Sequence, residues 1–289
     1  MPTRQYLDVL LSLTDSPPLP CRAAYLEGGE GPALVMLHGF MGSAASWWPL
    51  MQQLQSHYRC ISIDLLGFGE SAKPALRYNI ALEVAFMHQV LQALSLESCY
   101  LLGHSFGGWV GAAYALKYPL ALQGLILAAP AGIRDDSFCD RYQMLRPLLW
   151  SSSLVDWGLT LATPLAGLIG KQEEFQTLRW HRKSLKEQPV ASSFLRDRLR
   201  PEAAVDTVEQ DIHRLQLPTL VISGDQDQTI PLWHSQTYAH QIPQAQLAII
   251  PGASHSLPQN HPGELAELIL PFMTRNSATG KESSGVSGG

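Results

Sequence analysis

Ser105 sits in Gly103-His104-Ser105-Phe106-Gly107, a G-x-S-x-G pattern between a strand-length apolar run, Cys99 to Leu102, and a helix-like stretch, Gly108 to Tyr118. A strand, a sharp turn and a helix in that order hold a serine hydroxyl out at the tip of the turn, and the small neighbours let the chain bend there. A serine hydroxyl is a poor nucleophile without a base, and a histidine base needs a third group to orient it. Asp227 follows the apolar run Leu220-Val221-Ile222-Ser223-Gly224 and fits the orienting acid. Asp225 is its rival, nearer the strand end, whereas Asp227 lies out in the loop where it can reach across. His255 follows Leu247 to Ile250 in the loop Gly252-Ala253-Ser254-His255. The chain has ten histidines, so it is the place of His255 after the last strand-like run that selects it as base. Negative charge developing on a substrate oxygen needs two backbone N–H donors. Phe106, next after the serine, supplies the first, and Phe40 in the loop His38-Gly39-Phe40-Met41-Gly42-Ser43 supplies the second.

These residues work only if one framework brings their loops together. Short apolar runs recur at Ala33–Leu37, Cys60–Ile63, Tyr100–Leu102, Leu125–Leu127, Leu220–Ile222 and Leu247–Ile250. Continuous rather than alternating apolarity suits strands covered on both faces, as in a parallel sheet. Between them lie helical patterns, such as Ala81 to Leu94 with Leu82, Phe86, Val90 and Leu94 on one face. Glycines and alanines crowd one side of the helix after Ser105, which implies close approach to the sheet. Strands alternating with helices predict a doubly wound α/β fold whose loops converge at the carboxyl edge of the strands.

The alternation breaks from Arg134 to about Arg214, where helical patterns hold Trp150, Trp157 and Trp180 with no clear strand. The expected organisation is an N-terminal extension over 1–24, an α/β core over 25–133 and 215–275, a helical cap over 134–214 and a disordered Ser/Gly-rich tail over 276–289. Inside the insertion Arg179, Arg182, Lys183, Lys186, Arg196, Arg198 and Arg200 face only Glu187 and Asp197. Such a run is a positive lip for an anionic substrate or a solvated helix face, and the second is the commoner case. Asp64 to Ser71, with Gly67 and Gly69, reads as a structural loop that shapes the rim of the site.

Bulk properties narrow the class. With 289 residues, 46% hydrophobic and 16% charged, the chain can bury a substantial core. A net charge of −5 offers no basic field, so nucleic-acid binding is not suggested. The four cysteines, Cys21, Cys60, Cys99 and Cys139, include no C-x-x-C pair, so neither a zinc site nor a redox pair is indicated, and a reducing compartment fits best. The start lacks a signal-peptide pattern, and the most apolar long stretch, Leu154 to Gly170, is too short to span a bilayer comfortably. The expectation is a cytoplasmic protein with a small-molecule substrate, no metal, no organic cofactor and no stable membrane insertion.

Taken jointly, His38-Gly39-Phe40, Asp64–Ser71, Gly103–Gly108, Gly224–Pro231 and Gly252–His255 resemble the α/β-hydrolase superfamily, in its single-domain branch with a helical cap. The resemblance spans about residues 25 to 273 and implies Ser105 as nucleophile, Asp227 as acid, His255 as base, and Phe40 and Phe106 as the oxyanion hole. One departure is Ser254, where many relatives have glycine, which is expected to cost some backbone freedom. A serine nucleophile sets the chain apart from haloalkane dehalogenases and epoxide hydrolases, which use aspartate there. The resemblance implies cleavage of a carboxylic ester of a small, largely apolar substrate through an acyl-enzyme. The same triad also serves C–C bond hydrolases and the lyase of menaquinone biosynthesis, whose carboxylate-bearing substrates the basic run would suit. A third possibility of another class is a small-molecule receptor built on the hydrolase pocket.

Overall fold

The computed structural model describes residues 3–13, 16–135, 137, 152–167, 170–187, 190, 193 and 206–282. Its strands are β1 (Thr3–Leu13), β2 (Ser16–Gly28), β3 (Ala33–Leu37), β4 (Arg59–Ile63), β5 (Cys99–His104), β6 (Leu122–Ala128), β7 (Thr219–Gly224) and β8 (Ala245–Ile250). They form one sheet in the order β1-β2-β4-β3-β5-β6-β7-β8. From β4 to β8 every pairing is parallel, and only β1 with β2 and β2 with β4 run antiparallel. The apolar runs mark the parallel strands because β3, β5 and β7 are buried at every position, as strands sandwiched between two helical layers must be.

The helices bounded within the described residues are α1 (Trp48–Leu54), α2 (Ile80–Ala93), α3 (Phe106–Lys117), α4 (Ser153–Gly167), α5 (Gln172–Glu187), α6 (Leu232–Gln241), α7 (Leu257–Asn260) and α8 (Pro262–Glu282). One face of the sheet packs Leu34, Met36, Tyr100, Leu102, Ile126 and Ile222 against Trp47, Leu50, Ile269 and Phe272. Asn79 caps α2 by accepting the Leu82 N–H at 2.8 Å. The buried side of α2 holds Phe86 and Val90 as the periodicity requires, and also Glu83, whose carboxyl accepts the Leu66 N–H at 3.1 Å. Burial pushes the Glu83 carboxyl well above its ordinary range.

The chain divides into two compact units, one of residues 1–72, 79–133 and 206–289, the other of 73–78 and 134–205. The second unit contains α4 and α5, both helical. Residues 206–214 belong with the first unit, where the Val208 N–H donates to Gly132 O at 2.9 Å and the Trp109 indole N–H to Asp206 O at 3.1 Å. No described helix is long and apolar enough to cross a membrane.

Four sequence expectations change. The cap expected over 134–214 gives up residues 206–214 to the first unit. The segment 1–24 is not a separate extension: it forms β1 and most of β2, a hairpin that extends the sheet. The tail is helical over 276–282, because α8 runs on to Glu282; a nucleated helix gains one hydrogen bond for each residue added, whatever the Ser/Gly composition that follows. Residues 283–289, and Cys139 and Trp150, lie outside the described residues. The run Leu247–Ile250 is not covered on both faces, since β8 is an edge strand and Leu247 and Ile249 are exposed.

Candidate active site

Ser105 occupies the junction of β5 and α3 with φ 54° and ψ −114°, a backbone conformation that L-residues adopt only when their surroundings enforce it. The enforcement is visible in hydrogen bonds: Ser105 N–H donates to Ala128 O at 2.9 Å, and Ser105 O accepts from Ala131 N–H at 3.0 Å and Trp109 N–H at 3.1 Å. The flanking glycines leave no alternative. A Cβ on Gly103 would lie 2.3 Å from Gly107 O, and one on Gly107 would lie 2.3 Å from Leu37 O. Both obstacles are backbone, so neither can swing aside.

The serine meets two partners from distant parts of the chain. His255 Nε2 stands 2.9 Å from Ser105 Oγ, and His255 Nδ1 stands 2.7 Å from Asp227 Oδ2. The other carboxylate oxygen of Asp227 accepts the Thr229 and Ile230 N–H groups at 2.8 and 2.9 Å. Asp227 is therefore held as an acceptor, which places the imidazole proton on Nδ1 and turns the Nε2 lone pair toward the serine hydroxyl. Asp225 has a different place: its Oδ1 accepts the Gly252 N–H at 2.7 Å, bracing the loop that carries His255. Gly224 also lies tight against that loop, where a Cβ would come 2.1 Å from Ala253 O. Ser254 is accommodated without strain, since Gly252 alone in this loop takes a positive φ, 72°.

Two histidines inside the motifs take bracing positions that the sequence reading passed over. His104 Nε2–H donates to the His255 carbonyl oxygen at 2.8 Å, so the residue before Ser105 holds the backbone of His255. Burial first, and the nearby His255 second, push the His104 imidazole down to about 3, so it stays neutral with its single proton on Nε2. His38 lies fully buried at the end of β3. Leu65 N–H donates to its Nε2 at 3.1 Å, which leaves Nδ1–H to donate to Gly39 O at 2.8 Å. Burial is the main cause that lowers the His38 pKa. The signal for both was present in the sequence, a histidine inside each motif, but the partner of each is a backbone atom that no side-chain pattern reveals.

Asp64 anchors the rim. Its buried carboxylate accepts from Arg4 Nη1 at 2.7 Å, Ala44 N–H at 2.5 Å and Glu70 N–H at 2.9 Å. One side chain thus ties the loop after β3, the loop after β4 and the first strand together. The Phe40 loop lies close to Ser105: a Cβ on Gly39 would come 3.3 Å from Ser105 Cβ. Phe40 and Phe106 meet edge to face at 5.9 Å, and each meets Phe68 at 5.8 Å. The Phe106 N–H lies in the first turn of α3, where the helix dipole concentrates positive potential. Among the described residues, no group of three or more His, Cys, Asp or Glu side chains is arranged to hold a metal ion. Cys60 and Cys99 are buried thiols pushed up to about 12 by burial, outside the range of reactive cysteines.

An elbow serine at the carboxyl edge of a mostly parallel sheet, reached by a histidine and an aspartate from the loops after β8 and β7, defines a class. Residues 32–262 match the family model of the alpha/beta hydrolase fold, and the chain belongs to that family. It is 30% identical to a 2-hydroxymuconate semialdehyde hydrolase of Pseudomonas sp. (strain CF600), over 87% of this chain and 90% of that one. It is also 30% identical to Lipase 1 of Psychrobacter immobilis, over 81% of this chain and 75% of the relative. Among solved structures, a thermophilic esterase from Thermogutta terrifontis superposes with a TM-score of 0.73 at 24% identity, over 94% of this chain and 99% of that one, a likeness of fold. The protein is an enzyme of the α/β-hydrolase class.

Proposed function

We propose that the protein cleaves a carboxylic ester of a small, largely apolar substrate through an acyl-enzyme on Ser105. The observation that carries this reading is the unbroken chain Asp227–His255–Ser105, with both links at hydrogen-bond distance. Ser105 Oγ attacks the ester carbonyl as His255 Nε2 takes its proton. Asp227 holds the ring and stabilises the imidazolium that forms. The oxyanion rests on the Phe40 and Phe106 N–H groups. His255 then protonates the leaving alkoxide, a water attacks the acyl-enzyme with His255 again as base, and Ser105 is released with the acid product. Phe40, Phe68 and Phe106 beside the serine support an apolar group next to the scissile bond.

A second reading is favoured by relatives such as the one named a 2-hydroxymuconate semialdehyde hydrolase. On that reading the same triad opens a C–C bond beside a carbonyl. Steady-state assays of the wild type and Ser105→Ala on short-chain p-nitrophenyl esters and on 2-hydroxymuconate semialdehyde separate the two. Sustained ester turnover, reduced about 10⁴–10⁶-fold in the variant, is expected. Faster turnover of the semialdehyde than of every ester would replace the ester reading with the C–C one. A single burst without turnover would turn the protein into a receptor, and equal rates in wild type and variant would remove Ser105 from the chemistry.

A further inference from the structure

Helix α4 carries apolar side chains on a face that water reaches. Leu154, Trp157 and Leu161 fall at i, i+3 and i+7, share one side of the helix, and are 78, 68 and 64% exposed. Gly158 and Pro164, also exposed, complete that side without adding a polar group. The opposite side already has its own packing, through Val155, Leu159, Ala162, Thr163 and Ala166, all half-buried or buried. A surface helix of a folded domain normally gives its outer side to polar residues; α4 is apolar on both.

The neighbouring helix α5 adds charge beside this stripe. Gln176, Arg179, Trp180 and Lys183 recur along one face, and Trp180 is 62% exposed. With Asp156, Leu159, Thr160 and Arg182 they line a cavity of about 530 Å³. Thr160 is three residues from Trp157, so the cavity wall runs on into the apolar stripe. Arg182 is buried and turned to Asp156, with Nε 2.5 Å from Oδ1 and Nη2 3.0 Å from Oδ2, which neutralises the one carboxylate of the lining. By residue type the lining holds three cations, Arg179, Arg182 and Lys183, against the one carboxylate of Asp156. Glu173 and Glu174 stand nearer the amino end of α5, and Glu174 pairs with Lys171 at 3.5 Å.

We propose that this face of α4 and α5 docks onto an anionic lipid bilayer, with Leu154, Trp157 and Leu161 entering the boundary of headgroups and acyl chains and Arg179 and Lys183 meeting the phosphates. Tryptophan and leucine beside cations are the side chains that gain from that boundary. Charge complementarity favours a lipid surface over a second copy of this chain, because a two-fold pair would bring like cations face to face. The docking stands apart from the ester reading and is measured as binding, so failure of one leaves the other intact.

The test is co-sedimentation of the full chain with phosphatidylglycerol-containing vesicles and with pure phosphatidylcholine vesicles, at low and high salt. Binding to the anionic vesicles that weakens with salt is expected. Trp157→Ser with Leu161→Ser should weaken it at least about tenfold, and Arg179→Gln with Lys183→Gln about tenfold. Both pairs should keep the wild-type rate on a soluble short-chain ester. The Arg179/Lys183 pair lies on exposed positions and tests the proposal even if the α4 variant fails to fold. Absence of binding to anionic vesicles, equal and salt-insensitive binding to neutral ones, or a dimer in sedimentation velocity that Trp157→Ser dissolves would each overturn the proposal.

Discussion

The two compact units differ in what their candidate functional surfaces are made of. In the unit of residues 1–72, 79–133 and 206–289, the polar side chains of the site go inside: His38, Asp64, His104 and Asp227 are all buried. Each is bonded to backbone, so the low dielectric that makes an unpaired polar group costly instead makes these networks stiff. In the unit of 73–78 and 134–205, large apolar side chains come outside, at Leu154, Trp157, Leu161 and Trp180. The difference teaches where a substitution is felt. On the two proposals, a substitution among the buried polar groups of the first unit disturbs the geometry of the site, and one on the exposed stripe of the second changes what the surface adheres to.

The sharpest way to break this comparison is at the two rival aspartates. Asp227→Asn should lower kcat by about 10⁴, because the amide can present a donor to His255 Nδ1 and favour the wrong tautomer. Asp225→Asn keeps an acceptor for the Gly252 N–H and should change kcat less than about threefold on the same ester. Equal losses would dissolve the distinction between triad member and loop brace.

His104 offers a graded test. His104→Ala removes the donor to the His255 carbonyl and should lower kcat about tenfold to a hundredfold with KM little changed, and His104→Gln should recover part of that loss. It also carries a pH signature. The folded state holds His104 at about 3 while the unfolded chain titrates near 6.5, so between those values the unfolded state binds the extra proton. Stability from this source is complete above pH 6.5 and drains away as pH falls toward 3. Denaturant titrations of His104→Gln should therefore give a flatter acid limb than the wild type. A parallel acid limb would show that the folded His104 takes up its proton as freely as the unfolded chain.

The smallest effects set the two units side by side. Arg4→Ala leaves the Asp64 carboxylate buried without its cation and should destabilise by about 1–3 kcal/mol in urea unfolding, since Arg4 itself is only partly buried. Leu161→Ser, on the exposed stripe, should stay within about 0.5 kcal/mol of wild type in the same titration. A larger loss from Leu161→Ser than from Arg4→Ala would mean that the stripe is core, not surface.

The parallel strands and the candidate triad were legible because both are written locally. A strand buried on two faces must be apolar throughout, and a residue just beyond its carboxyl end has few places to go. The hairpin of β1 and β2 escaped that rule. Val9 and Leu11 point inward while Leu10 between them is exposed, so the apolar signal has period two, as in an antiparallel strand with one wet face. Position in the sheet misled in the other direction at β8, whose apolar run looks like a central strand and lies at the edge. The bracing by His38 and His104 was not legible at all, since the atoms they hold belong to the backbone of Gly39 and His255.

The link between Ser105 and His255 joins residues 150 apart in sequence, and that between His104 and the His255 carbonyl joins residues 151 apart. Closing a loop of that length costs chain entropy before the contact rewards it. On the proposed mechanism the strands from β5 to β8 must be paired, and the segment carrying His255 synthesised, before Ser105 has a base. On that mechanism the serine is until then a mere alcohol, a half-folded chain is chemically silent, and ester turnover returns on refolding only once the loops after β5, β7 and β8 have met.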